Sequence, residues 1–171
     1  MTTEELKTTT EELKTTTERI EQRQRGEEGR RRGEEYERRI LRQAWHLLNG
    51  GEGGTPDEPH VRARLKEWMA GRLDPSQRLK DEADPSLSDI LWWKGERVAL
   101  VEVSLKVNGE DIRRARLRAD TLREVGVDVL PIVIGEDWAT PESRALAEQE
   151  GVAWKVGDEL SPSLMEFRAV A

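Results

Sequence analysis

The sequence predicts an α/β domain, a mixed β-sheet flanked by helices, behind an N-terminal coiled-coil helix. Three observations carry this reading. Residues 2–22 repeat every seven positions. Two apolar stretches rich in β-branched and aromatic residues, 88–93 and 97–107, flank Lys94-Gly95-Glu96. Beyond them, segments with helical apolar spacing alternate with short apolar runs.

In the N-terminal segment, 2–8 recurs unchanged as 9–15 and loosely as 16–22, with Leu6, Leu13 and Ile20 seven apart. With these at heptad position d, Thr3, Thr10 and Thr17 fall at a, which makes a narrow, semi-polar seam. Three such heptads are marginal alone, so residues 1–28 are read as a coiled-coil oligomerisation helix helped by the remainder, 29–171. The alternative is a frayed, charged helix. A homo-oligomer, dimer or tetramer, follows from the first reading.

No large apolar residue occurs from 21 to 35, where Gly26, Gly29 and Gly33 interrupt an arginine-rich stretch. Each glycine costs roughly 1 kcal/mol in a helix interior. Tyr36, Ile40, Leu41, Ala44, Leu47 and Leu48 resume a helical face. Glu37 shares the spacing of Ile40, Leu41 and Ala44, as an edge residue or as a carboxylate aimed inward. The run 49–56, with four glycines and a proline, ends the helix as a loop. A short helix is expected over about 60–70, burying Val61, Leu65, Trp68 and Met69, and a first strand over 77–80. After the hairpin come a helix at about 110–125, a strand at 127–134, a helix at 141–150 and a last strand at 152–156. Pro131 cannot donate a ladder bond, so its strand is expected at an edge or a bulge.

The chain has 171 residues, of which 35% are hydrophobic and 37% charged, and no cysteine. Disulfides and thiolate metal sites are excluded, and a reducing compartment is compatible. No apolar run approaches the roughly 20 residues of a membrane span. Met1 leads into Thr, Glu and Lys where a signal peptide needs an apolar stretch, so a cytoplasmic location without membrane contact is expected. The net charge of -7 argues mildly against nucleic-acid binding over the whole surface. Arginines cluster at 23–42 and 113–123, interleaved with acids, as on solvated helix faces or phosphate-contacting surfaces. His46 and His60 fall on different helices and are read as surface or packed residues. Trp92 and Trp93 must point to opposite sheet faces, which leaves one for exposure near the hairpin tip, suited to a subunit contact or a base.

Chemistry concentrates at Asp89 and Glu102. A two-residue turn at Gly95-Glu96, with Gly at the first central position as type II′ prefers, pairs Trp93 with Val98, Leu91 with Leu100 and Asp89 with Glu102. Directly opposed side chains lie about 4.5–5.5 Å apart at Cβ. Strand alternation puts Ser104 and Lys106 on the face of Glu102. Mg²⁺ is held by one or two carboxylates with water and substrate phosphate, and a nearby ammonium orients the attacking water.

An Asp on one strand, a Glu on the next in an apolar run, then a helix and an apolar strand resembles the PD-(D/E)XK nuclease superfamily, the restriction-endonuclease-like fold. The segments Gly29-x-x-x-Gly33-Glu34-x-Tyr36-Glu37, Ser88-Asp89-Ile90, Val101-Glu102-Val103 and Ala145-x-Ala147-x-x-x-Gly151-Val152 are similar to an uncharacterised prokaryotic branch with an N-terminal coiled coil. The resemblance spans about 29–156. It implies a restriction-endonuclease-like sheet and hydrolysis of DNA with Mg²⁺ or Mn²⁺. Asp89, Glu102 and the Val103 carbonyl would hold the metal, and Glu37 would assist through a water. The lysine implied two residues after the Glu is Ser104 here, and Lys106 is the substitute, positioning the attacking water. Arg113 and Arg116 would meet neighbouring phosphates. The alternative is a catalytically decayed nuclease fold serving as a nucleic-acid-binding or assembly module.

Overall fold

The computed structural model describes residues 26–70 and 78–171. The heptads of Leu6, Leu13 and Ile20 lie outside the described residues. Contacts divide the chain into two compact units, Met1–Glu35 and Tyr36–Ala171. Helical backbone covers 26–47 (α1), and residues 36–47 belong to the second unit.

In that unit, β1 (Glu52–Gly54), β2 (Ile90–Lys94), β3 (Arg97–Val103), β5 (Asp128–Gly135), β7 (Ala153–Val156) and β8 (Glu159–Leu160) form one mixed sheet in the order β1-β2-β3-β5-β7-β8. β3, β5 and β7 run parallel, and the outer pairs are antiparallel. The intervening β4 (Lys106–Val107) and β6 (Asp137–Trp138) make a separate two-stranded parallel sheet. The remaining helices are α2 (Pro59–Met69), α3 (Gly109–Glu124), α4 (Pro141–Gln149) and α5 (Pro162–Arg168). No described helix is long and apolar enough to cross a membrane.

Period-two alternation sorts the sheet residues. Ile90, Trp92, Ala99, Val101, Val103, Ile132 and Ile134 pack with Tyr36, Ile40, Ala44 and Leu48 of the α1 region and with Leu164 and Phe167 of α5. On the other face, Leu91, Trp93, Val98 and Leu100 meet Val61, Leu65 and Met69 of α2 and Ala119 and Leu122 of α3. Val133 and Trp154 meet Ile112 and Ala115 of α3 and Ala147 of α4. Asp89 and Glu102 share the parity of the second set, so their carboxylates belong to the face that α3 covers.

Three details differ from the sequence reading. The first strand is β1, inside the glycine-rich loop, and residues 78–80 are irregular. β1 lies so close on β2 that a Cβ at Gly53 would collide with the Leu91 carbonyl oxygen, so glycine there reports strand contact rather than loop freedom. Trp92 and Trp93 are both buried, because β1 and its loop cover the hairpin: their indole N–H groups donate to the Gly50 carbonyl (2.8 Å) and to Glu52 Oε1 (2.9 Å). Pro131 lies in a central strand. The Ile134 carbonyl accepts from Ser104 on the β3 side and the Gly135 carbonyl from Gly157 on the β7 side, so alternation turns the Pro131 nitrogen toward β7, whose pairing starts only at Ile132. The missing donor falls where no partner strand stands.

β8 and α5 complete the sheet beyond the expected last strand. The buried Lys94 at the end of β2 holds α5 in place: its ammonium donates to the carbonyls of Phe167, Arg168 and Val170, each at 3.1 Å, and sits 5.2 Å from the Phe167 ring centroid. Burial lowers its pKa. Charge-assisted hydrogen bonds are worth about 1.5–3 kcal/mol, and Lys94→Ala leaves three carbonyls without this donor. Urea denaturation is expected to show a loss of about 2–3 kcal/mol, and an unchanged midpoint would contradict the clamp.

Candidate carboxylate site

The β2–β3 turn sets the site. Gly95 has φ +58° and Glu96 is not in the positive-φ region, in keeping with a turn that has glycine at its first central position. The ladder pairs Lys94 with Arg97, Trp93 with Val98, Leu91 with Leu100 and Ile90 with Val101. One further step in that register sets Asp89 against Glu102. The Asp89 N–H donates to Glu102 Oε2 (3.3 Å), and the Val103 N–H donates to Asp89 Oδ2 (2.7 Å). Glu102 is 4% exposed and Asp89 is half-buried, so the aspartate is the more accessible member.

Arg118 of α3 supplies the positive charge. Its guanidinium donates to Glu102 Oε1 and reaches the Asp81 carbonyl through Nε (3.2 Å) and Nη2 (2.9 Å). Arg118 is itself 6% exposed. A capping box fixes the start of α3: Asn108 Oδ1 accepts from the Asp111 N–H (2.9 Å) and Asp111 Oδ2 from the Asn108 N–H (3.0 Å). Thr121 Oγ1 donates to the Ala83 carbonyl (2.6 Å). Arg118 and Thr121 thereby tie α3 to the single 3₁₀ turn Asp81–Ala83. A second such turn, Pro85–Leu87, leads on to Asp89.

Desolvation dominates the electrostatics. Burial pushes the Glu102 carboxyl up to about 8, the Asp89 charge adding to the rise and Arg118 opposing it. Burial also raises Asp89, against the Val103 N–H, its hydrogen bond with Glu102, and the charges of Arg118 and Arg114. Carboxyls this close titrate as a pair. Burial and their mutual repulsion favour a proton on the pair, and the Arg118 guanidinium opposes it by favouring the charged form.

The other expected residues fall elsewhere. β3 ends at Val103. The Ser104 N–H then donates to the Ile134 carbonyl, and the Leu105 carbonyl accepts from Glu136 and Asp137. This leads the chain over the end of β5, where a Cβ at Gly135 would come within 2.6 Å of the Ser104 carbonyl oxygen. Lys106 is therefore exposed on β4, in register with Asp137 in the second sheet. The alternation that placed it with Glu102 stops three residues too soon. Ser104 Oγ donates to the Lys106 carbonyl (3.0 Å). Glu37 is exposed on α1 rather than aimed inward, because the buried face there is Tyr36, Ile40 and Ala44. The Val103 side chain packs on the opposite face. Arg113 pairs with Glu82 (3.4 Å) and Arg116 with Glu150 (2.6 Å).

Arg118 is the site residue that sequence reasoning missed. Its signal is its position: Asp111, Ala115, Arg118 and Leu122 fall on one helical stripe, and an arginine in that stripe needs a buried acid. Among the described residues no three or more His, Cys, Asp or Glu side chains gather as a group that could hold a metal ion. Compared with known proteins, the chain matches no protein-family model, no curated protein and no solved structure.

The raised Glu102 value fixes a pH dependence. Folded Glu102 keeps a proton that the unfolded chain releases above its ordinary 4.5. The resulting stability is full below that value and is lost as pH rises toward about 8. Thermal unfolding is expected to fall from pH 5 to pH 9 in the wild type and to fall less in Glu102→Gln. Equal slopes would contradict the retained proton. Arg118→Leu, which removes the counter-charge, is expected to cost about 3–5 kcal/mol near pH 8 and less near pH 5, in urea melts at both values.

Proposed function

We propose that the chain is a Mg²⁺- or Mn²⁺-dependent nuclease hydrolysing DNA phosphodiester bonds, on a restriction-endonuclease-like sheet and assembled as a homo-oligomer through its N-terminal coiled coil. The observation that carries this reading is the Asp89–Glu102 pair, opposed at the end of the β2–β3 hairpin with one member half-buried. The order Asp at a strand start, Glu on the next strand, helix α3 and apolar strand β5 supports it as well, being the pattern of the resemblance. Two carboxylates and a backbone carbonyl are hard oxygen donors, the kind Mg²⁺ and Mn²⁺ take together with water and phosphate. When bound, such an ion polarises the phosphoryl oxygen and acidifies a water.

The chain's own groups have distinct tasks in this reading. Asp89 is the more accessible carboxylate, and Glu102, whose pKa burial raises, gives up a proton to become a ligand. The Val103 N–H and Arg118 keep the two carboxylates oriented. Exposed ion pairs are weak, so Arg113, paired at the surface with Glu82, can exchange that acid for a phosphate oxygen, whereas Arg116 is half-buried against Glu150. Lys106 lies on the second sheet, in register with Asp137 rather than on the strand of Glu102, and the cation in contact with the pair is Arg118.

That displacement favours a second reading, a nuclease fold retained as a nucleic-acid-binding or assembly module. Titration of the full chain with Mg²⁺ and Mn²⁺ over plasmid DNA separates the two. A nuclease is expected to cleave, and Asp89→Asn and Glu102→Gln to abolish cleavage without unfolding. Because ligand carboxylates must be deprotonated, metal affinity should rise from pH 6.5 to pH 8.5. Cleavage that appears only in Ser104→Lys would establish the second reading instead, and equal cleavage by wild type and Asp89→Asn would expose a contaminant.

A further inference from the structure

Helix α3 brings a second arginine to the carboxylate pair. Asp111, Arg114, Arg118 and Thr121 recur at spacings of three and four, so they share one edge of the helix. The two C-terminal members of that edge hold the approach to β2, Arg118 donating to the Asp81 carbonyl and Thr121 to the Ala83 carbonyl. Arg114 stands one turn closer to the helix start than Arg118, a spacing at which Cβ atoms lie about 5–6 Å apart.

The two guanidinium groups serve different members of the pair. Arg118 is buried and donates to Glu102, the inner carboxylate. Arg114 is half-buried, and its charge lowers the pKa of Asp89, the more accessible one. Helix spacing and electrostatics thus agree in setting Arg114 on the Asp89 side.

Arg114 is aimed by a fixed anchor. Its Nη2 donates to Asp111 Oδ1 (2.6 Å), and the other oxygen of that buried carboxylate accepts the Asn108 N–H in the capping box. The helix start therefore holds Asp111, and Asp111 holds the guanidinium. The second contact, from Nη1 to Glu110 Oε2 at 4.0 Å, is to a side chain that is 84% exposed, an ion pair worth little. A guanidinium has five N–H donors, and those on Nη1 can leave Glu110 for an incoming anion. An arginine that only stabilised α3 would serve as well on its outer face, where Arg123 meets Asp120. Arg114 lies instead on the edge that carries Arg118.

We propose that Arg114 is a phosphate-binding residue of this site: its guanidinium, aimed by Asp111, holds a non-bridging oxygen of a DNA phosphate beside Asp89, and the cation that the sequence places at Lys106 comes from α3 instead. This rests on the nucleic-acid reading of the site and adds the residue that holds the phosphate. In a nuclease the same N–H groups meet the negative charge that builds on the phosphoryl oxygens.

DNA binding without cleavage tests it. With the full-length Asp89→Asn chain as parent and EDTA present, the anisotropy of a labelled duplex is read across a series of KCl concentrations. Each phosphate contact contributes about 0.9 to the slope of log K against log salt. Arg114→Gln in this parent is expected to weaken binding about tenfold and to lower the slope by about 0.9. Arg114→Lys should keep the slope and bind about threefold more weakly, since it keeps the charge and loses the fork. Arg123→Gln, which removes the same charge about 13 Å further along α3, should change neither. A parent that does not bind, an Arg114→Gln chain that matches it, or an equal fall in slope with Arg123→Gln would overturn the proposal. If far-UV circular dichroism shows that Arg114→Gln loosens the helix, Arg114→Lys decides alone: weaker binding at the parent's slope supports the contact, and unchanged affinity overturns it. Cleavage of plasmid DNA by the wild type in Mg²⁺ keeps the two readings apart. A wild type that does not cleave while Arg114 carries the slope removes the nuclease and leaves the contact; a wild type that cleaves while Arg114→Gln leaves the slope unaltered removes the contact and leaves the nuclease.

Discussion

The buried contact between Arg118 and Glu102, with Asp89 beside it, is the constraint around which the second unit is organised. A carboxylate 4% exposed at a strand end is stable only with a proton, a cation or a full set of donors. This carboxylate has the guanidinium from α3 and the Asp89 amide as donors, and burial raises its affinity for a proton. The same arginine binds the Asp81 carbonyl, so the charge that neutralises the site also positions the segment that delivers Asp89. Sheet, helix and the approach to β2 are thereby joined at one point on the α3-covered face.

Much of this was legible in the sequence because it depends on local chemistry. Gly95 in a tight turn and strict alternation on either side fix the hairpin register, and the register brings Asp89 and Glu102 together. The helical stripes of α2, α3 and α4 follow from apolar spacing. Less legible was what depends on chains meeting from afar. The glycines at 50–54 read as a loop, yet Gly53 is there because β1 touches β2. Pro131 reads as an edge residue, yet an interior strand tolerates it because its neighbour begins one residue later.

The site's cations show the same division. Lys106 looked like a site residue because alternation was carried along an apolar run that the structure breaks at Val103. Arg118 was passed over because arginines between 113 and 123 read as a solvated face. Arg113 and Arg123 do pair with acids in that manner, at the surface. Only the fold shows that Arg118 points inward, although its place on the apolar stripe is the trace it leaves in sequence. Lys94, to which the sequence assigned no role, is likewise a buried clamp on the carbonyls of Phe167, Arg168 and Val170.

The central claim is that the Asp89–Glu102 pair accepts a divalent cation in exchange for its proton and part of its contact with Arg118. A crystal structure of the full chain soaked with Mn²⁺ at pH 8.5, with anomalous data, tests it most directly. The account predicts an anomalous peak within bonding distance of both carboxylates, and Arg118 drawn back from Glu102. Density showing Arg118 still seated on Glu102 and no peak at the pair would contradict it.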